Sequence, residues 1–390
     1  MSDSVVIVAA KRTPMGGFMG GLSSVPSPEL GATAISAVLS DNLQDSIDEV
    51  IMGCVLPAGL KQAPARQATL GAGLPLAVGA TTINKVCGSG MKAIMLAHDL
   101  IKAGSAEAVI AGGMESMSGA PYLLPKARAG YRMGHGQMFD HMMLDGLENA
   151  YDGQAMGCFA QATADGESLT REDMDEFAIS SLTKAQAAID SGAFADEIVP
   201  VTVSSRKGDV VVDTDEGPGS ARVDKIPQLR PAFKKDGTVT AANSSSISDG
   251  AAALLVMSES KAKEKGLTPM ARIVSHATNA IKPEDFTVAP VGAIEKALSK
   301  AGWSVDDVDL FEINEAFAMV TMLGIKKLGL DPAKVNIKGG ACALGHPIGA
   351  SGARIVVTLL HALKQQGKKK GVAALCIGGG EGTALALEML

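Results

Sequence analysis

Gly88-Ser-Gly-Met-Lys92, a helical run, a charged turn and Ala108-Val-Ile-Ala-Gly-Gly113 occur early in this chain. Ala350-Ser-Gly-Ala-Arg354, a second helical run, a Lys-rich turn and Ala374-Leu-Cys-Ile-Gly-Gly379 repeat the pattern near its end. Two copies of one β-α-β unit are implied, and with them an α/β fold of two similar halves. If the halves pack about a pseudo-twofold, the helix N-termini after Cys87 and after His346 face one crevice, into which a strand end delivers Cys376. Residues 339–352 set His346 in a bed of small residues before Ile355, Val356, Leu359, Leu360 and Leu363, which are apolar at helical spacing. Those glycines read as room for a ligand at a helix N-terminus.

Working outward, residues 5–10 read as a buried strand, followed by Arg12-Thr-Pro14 and a glycine-rich loop. Ser27 and Pro28 supply a cap and first helical position. Strand signals recur at 48–56, 81–86 and 107–111 with helical runs between them, and the strand at 81–86 runs straight into Cys87, at the first turn of the next helix. Between 119 and 157 the regular spacing stops, and a long helix follows, opened by Thr170 and Asp173 in capping-box fashion. Alternation resumes at Ala251, with strands at 251–257, 271–276, 308–313, 335–337, 371–377 and 383–389 and helices near 259–265, 291–301 and 314–328. The domains read as 1–118, a first half completed by 248–268; 119–247, an inserted loop domain; and 269–390, a second half. Basic residues in the insert, Arg206, Lys207, Arg222, Lys225, Arg230, Lys234 and Lys235, suit a solvated face first and an anion site second.

Composition removes several classes of function. With 46% hydrophobic and 20% charged residues among 390, the chain is globular and long enough for more than one core. A net charge of −7 argues against nucleic acid as a partner, since phosphate contacts need a basic face. No apolar run reaches the ~18 residues of a membrane span, and the start of the chain carries no leader pattern, so a cytoplasmic location away from membranes is expected. The five cysteines form no C-x-x-C pair and no metal-type spacing with histidine, so neither a disulfide framework nor a metal site is expected. H-E-x-x-H, the P-loop pattern and G-x-S-x-G are all absent.

Four motifs carry chemistry: Val86-Cys-Gly-Ser-Gly90, Asn314-Glu-Ala-Phe317, Gly345-His-Pro-Ile-Gly349 and Cys376-Ile-Gly-Gly-Gly380. Cys87, before a glycine-rich helix start, has the setting that lowers a thiol pKa and leaves a backbone N–H free for an oxyanion. Together with Arg12-Thr-Pro14, Gly112-Gly-Met-Glu-Ser116 and the Ser-rich segment before Asp249, the motifs resemble the thiolase family over essentially the whole chain. The similarity is greatest to its short-chain, acetyl-CoA acetyltransferase branch.

The resemblance implies a five-layered α/β/α/β/α fold of two similar halves with an inserted loop domain covering coenzyme A. It implies a reversible Claisen condensation of two acetyl-CoA to acetoacetyl-CoA plus CoA, with CoA thioesters as substrates and no tightly bound cofactor. In that reaction Cys87 carries the acyl group in a ping-pong cycle, and His346 accepts its proton and then polarises the incoming thioester. Cys376 moves the α-carbon proton. Asn314 holds a water that shares an enolate oxyanion hole with His346, and the N–H groups of Cys87 and Gly378 form a second hole. Ser245 matches a pantetheine contact, and Leu147, Phe233 and Phe317 match apolar positions of a CoA channel. Residues 130–143 match a region joining dimers, so a homotetramer is expected. Cys54, Cys158 and Cys342 match no role and read as structural.

Some positions depart from the family pattern. Ala155 stands where short-chain members usually carry histidine, and Ala160-Gln-Ala162 replaces the usual Ala-Glu-Asn, which opens a broader-range 3-ketoacyl-CoA thiolase as the alternative. Ser246 replaces a common glycine, Lys338 a common asparagine, and Glu381 an uncharged residue. A decarboxylating ketoacyl synthase generally uses a second histidine where this chain has Cys376. A catalytically silent scaffold would have lost one of the two thiols.

Overall fold

The computed structural model describes residues 3–40, 43–206 and 208–390. Its main strands are β1 (Val5–Arg12), β2 (Glu49–Gly53), β3 (Gly79–Ile83), β4 (Ala108–Ser116), β5 (Ser248–Ser258), β6 (Ala271–Ala280), β7 (Leu310–Ile313), β8 (Lys370–Ile377) and β9 (Glu381–Met389). Its main helices are α1 (Ser27–Ala37), α2 (Pro64–Gly71), α3 (Ser89–Lys102), α4 (Met156–Gly166), α5 (Arg171–Asp190), α6 (Ala289–Ala301), α7 (Ala318–Leu328) and α8 (Ser351–Gln366).

The duplication is visible in the strand order. β2 lies parallel to β4, which pairs antiparallel with β5, and β5 with β1. In the second half β7 lies parallel to β8, β8 antiparallel to β9, and β9 to β6. The two sets meet where β1 pairs with β6 through Val6 with Arg272 and Ile7 with Ala271, so the strands trace one continuous sheet that folds over at this seam. α3 and α8 lie between its two arms, each touching strands of both, while α1 and α2 cover one outer face and α6 and α7 the other. The layers are α/β/α/β/α.

Period-two alternation explains why the strands read as unbroken apolar runs. Val109 and Ala111 of β4 point into the central core around α3 and α8, whereas Ala108 and Ile110 point into the outer core under α1. In the other half Ala373 and Leu375 face the centre, and Val372, Ala374 and Cys376 the outer core under α6 and α7.

The repeated Ser-Gly pair marks where α3 and α8 cross. A Cβ on Gly90 would lie 2.7 Å from the Ala353 nitrogen, and one on Gly352 would lie 2.4 Å from the Met91 nitrogen. Only two glycines let these backbones touch.

Some local expectations shift. Pro26, not Ser27, stands at the N-cap of α1. The 335–337 strand is reduced to one parallel bridge between Val335 and Phe311, the counterpart of β3 beside β2. Residues 314–317 precede α7 and are not part of it, and β4 and β5 run on through the glycines at 112–113 and 250.

The insert contributes α4 and α5, with the Thr170 and Asp173 capping box in place. A buried ion cluster ties it to β1: Arg12 Nε lies 2.7 Å from Glu197, and its terminal nitrogens lie 2.7 and 2.9 Å from the two oxygens of Asp215. Breaking such a buried pair costs about 3–5 kcal/mol, which makes the fully buried arginine of Arg12-Thr-Pro14 an anchor. Lys338 joins the cluster, 3.3 Å from Glu197, so this departure from the family pattern has a local partner. Of the basic residues in the insert, Arg222 pairs with Asp224 and Lys234 with Asp165 at the surface, as a solvated face requires; Lys207 lies outside the described residues.

Candidate active site

The loop between β3 and α3 does not run straight into Cys87. β3 ends at Ile83, Asn84 Oδ1 accepts from the Val86 N–H at 2.9 Å, and Val86 takes a φ of +45°. A β-branched residue there is strained, and strain of this kind persists only where surrounding contacts impose it. Ser89 supplies two of them, donating to the Val86 carbonyl at 2.6 Å and accepting from the Lys85 N–H at 2.8 Å. Lys85 in turn pairs with Glu381, across from the first half to the glycine-rich turn after β8, which gives that unusual acidic residue a partner. The turn brings Gly378, whose N–H points at the Cys87 sulfur together with the N–H of Cys87 itself.

Burial pushes the Cys87 thiol up to about 11, although both N–H groups oppose the shift. The lowered thiol pKa expected from the helix start is therefore corrected: Cys87 precedes α3 by two residues, and desolvation outweighs the dipole and the N–H donors. Cys376, at the buried end of β8, is likewise raised, by burial and by its proximity to Cys87.

His346 sits in the loop before α8, not at the helix start itself. Its N–H donates to the Ser246 carbonyl at 3.1 Å, and Nδ1 lies 2.5 Å from Ser351 Oγ. Ser351 donates its only proton to the Pro347 carbonyl at 2.9 Å, so it accepts from Nδ1–H. Nε2 is left bare, buried and without a protein partner, and burial next to Arg354 lowers the imidazole to about 3. The ring is a neutral acceptor.

The glycines around His346 make room for protein, which corrects the expectation that they clear space for a ligand. A Cβ on Gly345, whose φ is +101°, would lie 2.1 Å from Ser248 Oγ, and one on Gly349 would lie 2.6 Å from Glu115. Glu115 holds this loop by accepting from the N–H groups of Gly349 and Val55, each at 2.9 Å, and of Leu56 at 3.1 Å. Asn314 is fixed through its N–H to the Ala374 carbonyl at 2.9 Å, while both polar atoms of its buried side chain lack a partner. Glu315 anchors the same motif to Ser181, Asn336 and the Cys342 N–H.

A cavity of about 330 Å³ joins these parts. Cys87, His346, Gly378, Ser245, Leu147, Phe233 and Phe317 all line it; Cys376 and Asn314 are buried and are not among its lining residues. The rest of the lining is largely apolar, with Met117, Met143, Met156 and Ile348 prominent. Sequence reading missed Ser351, Glu115 and the Val86 backbone. The match of Ser351 to Ser89 in the internal repeat was the available signal for the first, and the other two lie inside quoted motifs that gave no positioning role to them.

The family profile described as "Thiolase, N-terminal domain" matches residues 5–260, and "Thiolase, C-terminal domain" matches residues 267–389. The chain belongs to the thiolase family. Among curated thiolase relatives, an "Acetyl-CoA acetyltransferase" of Escherichia coli (strain K12) is 53% identical over 389 residues, covering 99% of each chain. One of the same name from Pseudomonas aeruginosa is 52% identical with 99% of each chain covered. Among solved structures, the Bacillus anthracis acetyl-CoA acetyltransferase superposes with a TM-score of 0.96 at 44% identity, covering 100% of this chain and 99% of that one. Acat5 thiolase from Ascaris suum, solved in complex with coenzyme A, gives 0.94 at 43% identity, with 99% and 100% covered.

Proposed function

We propose that the protein is an acetyl-CoA C-acetyltransferase, joining two acetyl-CoA into acetoacetyl-CoA and CoA, or running the reverse thiolysis. The observation that carries the reading is the bare Nε2 of His346 in one cavity with Cys87 and two N–H donors. A neutral thiol faces a neutral base, so the proton moves as the sulfur attacks the thioester. The N–H groups of Cys87 and Gly378 then receive the oxyanion of the tetrahedral intermediate, each such donor being worth roughly 10²-fold or more in rate. As the tetrahedral intermediate collapses, the Cys376 thiol gives its proton to the departing CoA sulfur, and in the second half-reaction the thiolate so formed removes a proton from the methyl carbon of the second acetyl-CoA. The enolate, its oxygen held by His346 Nε2–H and by a water on Asn314, whose unpaired amide suits that role, attacks the acyl group on Cys87 and displaces the Cys87 sulfur, which takes back the proton from His346.

Ser245, Leu147, Phe233 and Phe317 line the path for the pantetheine arm, with segment 119–247 as its cover. The exposed apolar side chains Tyr131, Met133, Met138 and Phe139 support the expectation that residues 130–143 join dimers into a homotetramer, to be measured by light scattering. Among the described residues no helix is long and apolar enough to cross a membrane, and five free cysteines suit a reducing cytoplasm.

Ala155 lines the cavity, so the position that departs from short-chain members bears directly on acyl length. A thiolysis series from C4 to C12 ketoacyl-CoAs tests the reading. Acetoacetyl-CoA is expected to be the best substrate; a rate that stays flat or rises beyond C4 replaces the acetyl-specific reading with the broader-range one. Intact mass of Cys87→Ser protein exposed to acetyl-CoA is expected to show no covalent acyl adduct, and an undiminished acylated mass removes Cys87 as the nucleophile.

A further inference from the structure

The first half supplies His98 and Asp99, adjacent on α3, and the second half supplies His276 on β6. Across the seam, His276 Nε2 lies 3.2 Å from His98 Nδ1 and 2.9 Å from Asp99 Oδ1, and His98 Nδ1 lies 3.0 Å from the same oxygen. The rings meet edge to face at 86° with centroids 4.9 Å apart. We propose that these three side chains bind one divalent transition-metal ion of the zinc class, which clips the central helix behind Cys87 to the other half of the fold.

Protons alone satisfy this triangle poorly. If both ring nitrogens are protonated, two N–H groups point at each other across 3.2 Å; if only one is, a lone pair of the other ring faces the carboxylate oxygen. A cation at the centre accepts all three lone pairs. Metal bonds of 2.0–2.1 Å place neighbouring ligand atoms about 2.9 Å apart in octahedral and about 3.4 Å apart in tetrahedral geometry, and the three separations fall in that interval. Two imidazoles and one carboxylate are the donor set of borderline divalent metals, and the exposed side of Asp99 leaves a position for water. Lys300, which donates to the His276 carbonyl at 2.9 Å, is a nearby opposing charge. Sequence spacing gave no metal pattern because the ligands are 177 residues apart.

The test is equilibrium dialysis against Zn²⁺ with metal analysis, on the full chain and on His276→Ala, His98→Ala and Asp99→Asn. The full chain is expected to hold one equivalent more than either histidine variant, and Asp99→Asn is expected to weaken that equivalent about tenfold or more. Its thermal midpoint is expected to rise by about 3 °C at a hundredfold excess over Kd, a rise absent from His276→Ala. Cys87→Ala, tested for zinc only, keeps the equivalent and so separates it from metal on the reactive thiol. Equal zinc content in the full chain and in Asp99→Asn and His276→Ala proteins that elute as folded species would overturn the proposal.

Discussion

His346 Nδ1 lies 2.5 Å from the Oγ of Ser351, the first residue of α8. Because Ser351 gives its proton to Pro347, this contact sets which nitrogen of the imidazole is bare. A helix start thereby controls the tautomer of a base five residues upstream.

Ser351→Ala removes the acceptor for Nδ1–H and frees the ring to take either tautomer. We expect kcat for acetoacetyl-CoA thiolysis to fall about tenfold, the equivalent of one lost hydrogen bond, with KM within about twofold. Steady-state kinetics checks this. A kcat equal to that of the unaltered chain means another group fixes the imidazole.

Alkylation of Cys87 by iodoacetamide should rise roughly tenfold per pH unit from pH 7 to 10, because the reactive thiolate is the minor form below a pKa of about 11. Burial disfavours the charged sulfur, so raising the pH recovers it. Peptide mass spectrometry over a pH series isolates this residue from the other four cysteines. A plateau beginning below pH 8 indicates a thiolate–imidazolium pair at rest and contradicts the neutral pair.

Gly352→Ala drives a methyl group to 2.4 Å from the Met91 nitrogen at the helix crossing. Overpacking against backbone leaves few ways to relax, and a loss of about 1–3 kcal/mol or more is expected. Gly166→Ala is the control, since a Cβ there meets nothing within 4 Å. Thermal midpoints at one scan rate should fall for the first and stay level or rise for the second. Equal midpoints mean α3 and α8 separate at little cost.

The order of elements was legible in the sequence because apolar periodicity and capping are local: α8, β8, β9 and the Thr170 capping box fall where the residues predict them. So was the duplication, since Ser89-Gly90 and Ser351-Gly352 repeat the same local solution to one crossing. What those glycines make room for was not legible. A glycine reports that something comes close, and only the packed chain shows that Ser248, Glu115 and Met91 are what comes.

By itself, then, the sequence determined two similar β-α-β halves with an insert between them, and it singled out Cys87, His346, Cys376 and Asn314 as candidates for the chemistry. The tertiary structure decided the ionisation of Cys87 and His346. Cys87 stands above and His346 below its ordinary pKa because segments distant in sequence cover both, and desolvation depends on everything that surrounds a group. It also decided that His98, Asp99 and His276 converge, through the seam between β1 and β6 that no periodicity encodes.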